Sequence, residues 1–336
     1  MTFTQAVKIG VIGCGGWGAN YVRLLASTSS LAFVYDVDPN AAYGVLSALG
    51  LPDAYLITSW RSVLAAGEAD GLVIVTPAEV HAALAADALG AGFHVLVEKP
   101  LALRYSDARL LAEMSRASNR VLAVGHLLRQ HPATKRLGEL MASGAIGAPQ
   151  FMDFRRVGPA RLRSESLLFS LAVHDVDIAL LLADDEPARV MTLSNAPQSA
   201  DFIVLAIDFV RGWRAVLTTS WLAPVQSREI TIVGSRMIAR WDQAANNGHG
   251  VLTTHAYSRD RQGRLTDALD SHVAYDGVDI LSLQLLEFAN AIAGSPPARL
   301  RIAQGLDHAV TGIGILAAGL TSMANCGAPV GWPPPG

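Results

Sequence analysis

Cysteine is scarce in this sequence: Cys14 and Cys326 are the only two in 336 residues. Two thiols that far apart make neither a disulfide framework nor the paired spacing of a zinc site, so no metal is expected. Charge is thin as well. Charged residues make up 16% of the chain, with 26 Lys and Arg against 29 Asp and Glu, a net charge of -3. No run of lysines or arginines occurs, which argues against a nucleic-acid surface. Long apolar runs are also missing. The longest, Ala309 to Ala324, is short and glycine-rich for a membrane span, so no membrane is expected. The opening residues MTFTQAVKIG lack a charged stretch followed by an apolar one, which leaves no visible secretory leader and a cytoplasmic expectation. What the chain does have is apolar material, 51% of its residues, enough at this length for about two domain cores.

It also has glycine in an unusual place. Val7 to Ile12 is a short β-branched run suited to a buried parallel strand. Gly13-Cys14-Gly15-Gly16-Trp17-Gly18 follows and fits G-x-G-x-x-G, and Asn20 to Ser27 has helical character. A second apolar run, LAFVYDVDP, reaches Asp36, 18 residues beyond Gly18. Strand, glycine turn, helix, strand and acid in that order predict a dinucleotide site. Gly13 turns the chain, Gly15 bares the backbone to a pyrophosphate and Gly18 lets helix and strand pack closely. The helix N-terminus offers free N–H groups to phosphate. Gly16 and Trp17 complete the loop. Asp36 suits the ribose hydroxyls and would repel a 2′-phosphate, so the expected cofactor is NAD rather than NADP.

The alternation continues. Asp70 to Pro77, His94 to Pro100 and Arg120 to His126 read as strands, with helices from Ala78 and Ser106 between them. This repetition predicts a Rossmann doubly wound parallel sheet over residues 1–125. Ligands bind at the carboxyl ends of such strands, where Thr76, Pro77, Glu98, Lys99 and His126 all fall. His81 lies close by in the following helix and is a further cofactor candidate. A lysine there, desolvated, can serve as a base, and Glu98 can orient either Lys99 or the nicotinamide ribose. Residues 126–336 read differently. Strand candidates are Gln150 to Val157, Arg189 to Ser194, Phe202 to Val210, Ala215 to Trp221, Glu229 to Val233 and Met237 to Trp241. One helix, about Leu167 to Leu182, lies between the first two. The pattern predicts an α+β domain with a large open, mostly antiparallel sheet. Closing helices are expected from Ile280 to Ala293 and from about Ala303, the last packing back on the first domain. Arg155, Arg156, Arg161 and Arg163 precede the helix that holds His174. As residue types they suit a diphosphate clamp or a solvated surface equally. By itself, His174 in an apolar helix reads as a hydrogen-bonded core histidine.

VLVEKPLA and LAVHDVDIALLL, added to the glycine loop and VTPAEVH in this order, resemble the Gfo/Idh/MocA oxidoreductases along essentially the whole chain. The resemblance implies an NAD-dependent sugar dehydrogenase with Lys99 and His174 as the catalytic pair and a cis bond before Pro100. It also implies a homodimer or homotetramer. GCGGWGANYVR, GHLLRQHPATKRLGELMASGAIG and SWLAPVQSREITIVGSR narrow the resemblance to the branch that oxidises UDP-linked N-acetyl sugars at carbon 3. That branch acts on UDP-N-acetylglucosamine or its uronic acid, and an aminotransferase takes the ketone onward to 3-amino sugars for lipid A or surface glycans. A ketosugar reductase, or a silent NAD-binding sensor of the same fold, are the rival implications. The chain departs from the pattern at one point. Many relatives carry Asp four residues before the histidine, where this chain has Ser170. On a helix the two positions share a face, so Ser170 is expected to neighbour His174 without lending it a charge.

Overall fold

A computed structural model describes residues 7–159, 166–196, 200–246, 250–259, 262, 264–275 and 277–334. The chain divides into two compact units, Met1–Leu127 with Asp279–Ile313, and Leu128–Val278 with Gly314–Gly336.

The first unit begins with alternating strands and helices. In chain order these are β1 (Ile9–Ile12), α1 (Gly18–Ser27), β2 (Leu31–Tyr35), α2 (Pro39–Ala48), α3 (Trp60–Ala65) and β3 (Gly71–Ile74). They continue with α4 (Ala78–Gly90), β4 (His94–Val97), α5 (Tyr105–Ser118) and β5 (Leu122–Val124). The strands pair in parallel in the order β2-β1-β3-β4-β5. β1, β3 and β4 are buried along their whole length, which is why they read as unbroken apolar runs rather than alternating ones.

The second unit is built on a nine-stranded sheet. It contains α6 (Pro132–Ala142), β6 (Pro149–Pro159), α7 (Val173–Ala183), β7 (Pro187–Ser194), β8 (Phe202–Phe209) and β9 (Arg214–Ser220). β10 (Leu222–Gly234), β11 (Met237–Asp242), β12 (Val251–Arg259) and β13 (Leu265–Val273) follow. All neighbours are antiparallel except β6 and β9, which run parallel. Cross-strand register sorts one face into rows. Met152 stands beside Ala215 and Ile232, and Phe154 beside Leu217 and Ile230, all fully buried. The next row along is polar: Thr219, Arg156 and Arg228. The opposite face leaves Phe151, Leu193 and Phe202 exposed.

The chain then returns to the first unit with α8 (Ile280–Ile292). α9 (Pro296–Ala324) follows and runs into the second unit, and β14 (Val330–Gly331) pairs with β7 at the sheet's edge. A single boundary at 125/126 is therefore corrected, because residues 279–313 belong with the N-terminal unit. The cause is packing. Leu285, Phe288, Ala289 and Ala291 join Ile9, Val73 and Leu96 in one core. A Cβ on Gly71 of β3 would stand 3.3 Å from Phe288 and 3.0 Å from Ile292. α9 is long and apolar enough to cross a membrane by composition, yet most of that stretch is buried inside the protein, as in a core helix.

Candidate active site

The glycine loop leaves β1 through Gly13, whose φ is +97°. A Cβ there would meet the Val75 carbonyl oxygen at 2.6 Å, and one on Gly18 would meet the Gly13 carbonyl oxygen at 2.1 Å. These two glycines are required by the protein's own backbone. Gly15 and Gly16 are not, since nothing lies within 4 Å of a Cβ at either. The open side of the loop suits a pyrophosphate, and α1 starts at Gly18 with no side-chain cap from Trp17, although the Ala19 and Asn20 N–H groups already donate to the Gly15 and Trp17 carbonyls at 3.1 Å. Asp36 stands at the end of β2. Its carboxylate accepts from the Cys14 N–H at 2.7 Å and the Asp38 N–H at 2.9 Å, so loop and acid are locked together. These residues fit a dinucleotide with free ribose hydroxyls. Burial, reinforced by the charge of Asp36, pushes the Cys14 thiol up to about 12, so it stays protonated and unreactive.

Glu98 ties this loop to the second turn of the site. It is buried, and its Oε1 accepts from Trp17 Nε1 at 2.8 Å and from the Tyr21 hydroxyl at 2.7 Å. Gln284 of α8 donates to that hydroxyl at 2.9 Å, and the Lys99 N–H donates to Glu98 Oε2 at 3.1 Å. Burial, then the Glu98 charge, pushes the Tyr21 hydroxyl well above the usual range, so it remains a donor. Of the two roles open to Glu98, orienting Lys99 has this support. Lys99 itself is half-buried at the end of β4, and the Lys99–Pro100 bond is cis. His81 needs correcting as a cofactor ligand. It is buried, with Nδ1 2.7 Å from the Pro100 carbonyl oxygen and Nε2 2.8 Å from that of Thr76. Both ring nitrogens are occupied, so His81 braces the Thr76-Pro77 turn against the Lys99-Pro100 turn and has no polar atom left for a dinucleotide. The buried Thr76 Oγ1 has no hydrogen-bond partner among the described residues.

His174 is the second residue of α7, half-buried, directly after a π turn over Leu168–Ala172. The Val173 N–H reaches the Leu168 carbonyl, so the regular α-helical step expected between Ser170 and His174 is widened by a residue. Ser170 is buried in that turn. Two carboxylates just after His174 hold the helix down. Asp175 accepts from Arg156 Nε at 3.0 and 3.1 Å and from Nη2 at 2.7 Å. Asp177 accepts from Arg129 Nε at 2.8 and 2.9 Å and from Nη2 at 2.7 Å. Sequence reasoning missed both pairs. The available signal was two carboxylates inside an otherwise apolar helix, since a buried carboxylate requires a cation.

The arginine cluster also needs correcting. Arg156 is buried against Asp175 and cannot reach a ligand with the same fork. Arg155, its neighbour on β6, is exposed on the opposite face, because successive side chains of a strand alternate. Arg161 and Arg163 lie outside the described residues. Arg228, which the sequence reading passed over, stands across from Arg156 on β10.

Residues 7–126 match the oxidoreductase family with an NAD-binding Rossmann fold, and residues 134–240 match the GFO/IDH/MocA C-terminal domain. UDP-N-acetylglucosamine 3-dehydrogenase of Acidithiobacillus ferrooxidans is 31% identical over 297 residues, 87% of this chain and 90% of that one. The chain belongs to the Gfo/Idh/MocA oxidoreductase family. Its two units carry that family's two domains, and membership makes it an NAD-dependent oxidoreductase acting on CH–OH groups. A solved structure of the Acidithiobacillus enzyme superimposes with a TM-score of 0.78 at 28% identity, covering 94% of this chain and 98% of that one. Inositol 2-dehydrogenase of Acidothermus cellulolyticus is 30% identical over 202 residues, 58% of this chain and 59% of that one.

Proposed function

We propose that this oxidoreductase oxidises the 3-hydroxyl of a UDP-linked N-acetyl sugar, UDP-N-acetylglucosamine foremost, to the 3-keto sugar, with loss of the hydroxyl proton and of a hydride from carbon 3. The carrying observation is the 31% identity to an enzyme named for that reaction, sustained over 87% of the chain, whereas the inositol relative matches over 58%. Gly15, Gly16, the head of α1 and Asp36 hold the dinucleotide. Bound NAD supplies the chemistry of hydride acceptance from carbon 3. The protein's part is acid–base work and position. Lys99 Nζ, presented by the turn that Glu98 secures, or the His174 imidazole takes the hydroxyl proton. Ser170 adds at most a neutral hydrogen bond. Assembly as a homodimer or homotetramer belongs to the same proposal, because the exposed Phe151, Leu193 and Phe202 give the open sheet face an apolar character.

The test is NADH formation from NAD with UDP-N-acetylglucosamine, UDP-N-acetylglucosaminuronate, free N-acetylglucosamine and myo-inositol. Turnover is expected with a UDP-sugar and far less with the free sugar. Lys99→Ala and His174→Ala are each expected to lower turnover by about 10² or more, with NAD affinity little changed. Turnover of myo-inositol with both UDP-sugars inert would defeat the substrate reading. Near-normal turnover in both variants would defeat the mechanism.

A further inference from the structure

We propose that Arg228 is the residue that receives the substrate's diphosphate, an inference that rests on the nucleotide-sugar reading above. It starts from the polar row of the second unit's sheet. Thr219 of β9, Arg156 of β6 and Arg228 of β10 sit side by side in register, one step beyond the rows Leu217–Phe154–Ile230 and Ala215–Met152–Ile232. Those two rows are fully buried. Side chains in register on neighbouring strands share a face, so Arg228 points to the face from which Asp175 of α7 reaches Arg156. His174 is Asp175's immediate neighbour in the chain.

The charges in this row do not balance. Arg156 is cancelled by Asp175 through a forked contact, with both side chains almost fully buried. Arg228 has no carboxylate within ion-pair distance among the described residues. Among the described residues its Nε and Nη2 meet the neutral side-chain oxygen of Gln226, at 2.8 and 3.2 Å with that amide turned to accept. Arg228 is nevertheless exposed. Partial desolvation, then the Arg156 charge beside it, lowers the Arg228 guanidinium from its ordinary value, and the charge of Asp175, already held by Arg156, offsets this only in part. One cation is therefore left over, crowded by another and open on one side. An oxyanion satisfies all three conditions, and the planar fork of arginine matches phosphate oxygens two at a time. Arg155 is excluded by the pleat and Arg156 by Asp175.

Titration calorimetry of UDP into enzyme already saturated with NAD tests this without turnover, since saturation closes the dinucleotide site to UDP. Arg228→Gln is expected to weaken UDP binding about tenfold or more, the loss of a charge-assisted contact. Arg228→Lys, which keeps the charge but not the fork, should fall between it and the unmodified enzyme. NAD affinity and melting temperature serve as folding controls, and both should stay close to those of the unmodified enzyme. If the unmodified enzyme binds UDP and Arg228→Gln binds it equally well, the assignment of Arg228 is overturned while the nucleotide-sugar reading stands. If the unmodified enzyme does not bind UDP, the reading fails and takes this assignment with it.

Discussion

Gly15 and Gly18 lie in one loop and answer to different masters, one to the ligand and the other to the fold. A methyl group on Gly18 would be driven to 2.1 Å from a backbone oxygen that cannot move without opening the turn. Gly18→Ala is therefore expected to cost about 2 kcal/mol or more of stability, seen as a lowered denaturation midpoint. At Gly15 a methyl group meets no protein atom within 4 Å. Gly15→Ala should melt like the unmodified protein and bind NAD about tenfold more weakly, because the added carbon stands where the pyrophosphate comes against bare backbone. Thermal melts and NAD titrations on the two variants separate these effects. Equal melting temperatures would contradict the account of Gly18, and unchanged NAD binding in Gly15→Ala would contradict that of Gly15. The distinction could not be read from the motif, because spacing alone does not tell which side of each glycine faces protein.

Among the elements, α7 is the most constrained, with a π turn at its head and two forked ion pairs beneath it. Neither partner of such a pair can lose the other cheaply. Asp177→Ala is expected to destabilise the protein by about 3–5 kcal/mol, since it takes the forked carboxylate away from the largely buried Arg129 cation. Replacing both members with apolar residues, Arg129→Met with Asp177→Leu, should recover most of that loss. Urea denaturation of the single and double variants checks it, and a double variant no better than the single one would show that α7 needs the charges themselves. Elements differed in how far the sequence announced them. The parallel strands were legible because full burial makes VKIGVI and HVLVEKP continuous apolar runs. β13, LTDALDSHV, went unread because an edge strand needs no strong apolar pattern, and β12, VLTTHAYSR, because its threonines and histidine break up the apolar run. The π turn over LFSLA has no composition of its own. Lys99 and His174 were locatable from EKP and HDVD, but the partners of Asp175 and Asp177 lie 19 and 48 residues away and only folding reveals them.

At the scale of the whole molecule, acid acts on each unit through a histidine, buried in the first and half-buried in the second. His94 of β4 is held down at about 4 by burial, then by Arg120 and Arg299, and its Nδ1 accepts the Val121 N–H at 2.8 Å. His131 in the second unit is likewise lowered to about 4 by burial, its ring tilted against that of Trp241 with centroids 4.4 Å apart. The unfolded chain takes up these protons near pH 6.5 and the folded one near pH 4, so between those values the unfolded state binds more protons. Stability should therefore be level above pH 7 and fall as pH drops from 6.5 towards 4, by at most about 1.4 kcal/mol per pH unit for each histidine. Asp208 and Asp279 sit below the ordinary carboxylate range and add their own loss only at still lower pH. Denaturation at several pH values should show a shallower decline in His94→Gln than in the unmodified protein, and parallel declines would refute the role of His94. The return of α8 to the first unit bears on how the protein is made. A ribosome releases β1 to β5 first, yet Leu285, Phe288, Ala289, Ala291 and Ala298, which fill the core behind those strands, are translated only after the whole strand-rich stretch from β6 to β13. Gln284, which steadies Tyr21 and through it Glu98, arrives at the same late moment. The cofactor half thus begins synthesis before the second unit's sheet and is completed after it, leaving the newborn chain with an open apolar seam until α8 emerges.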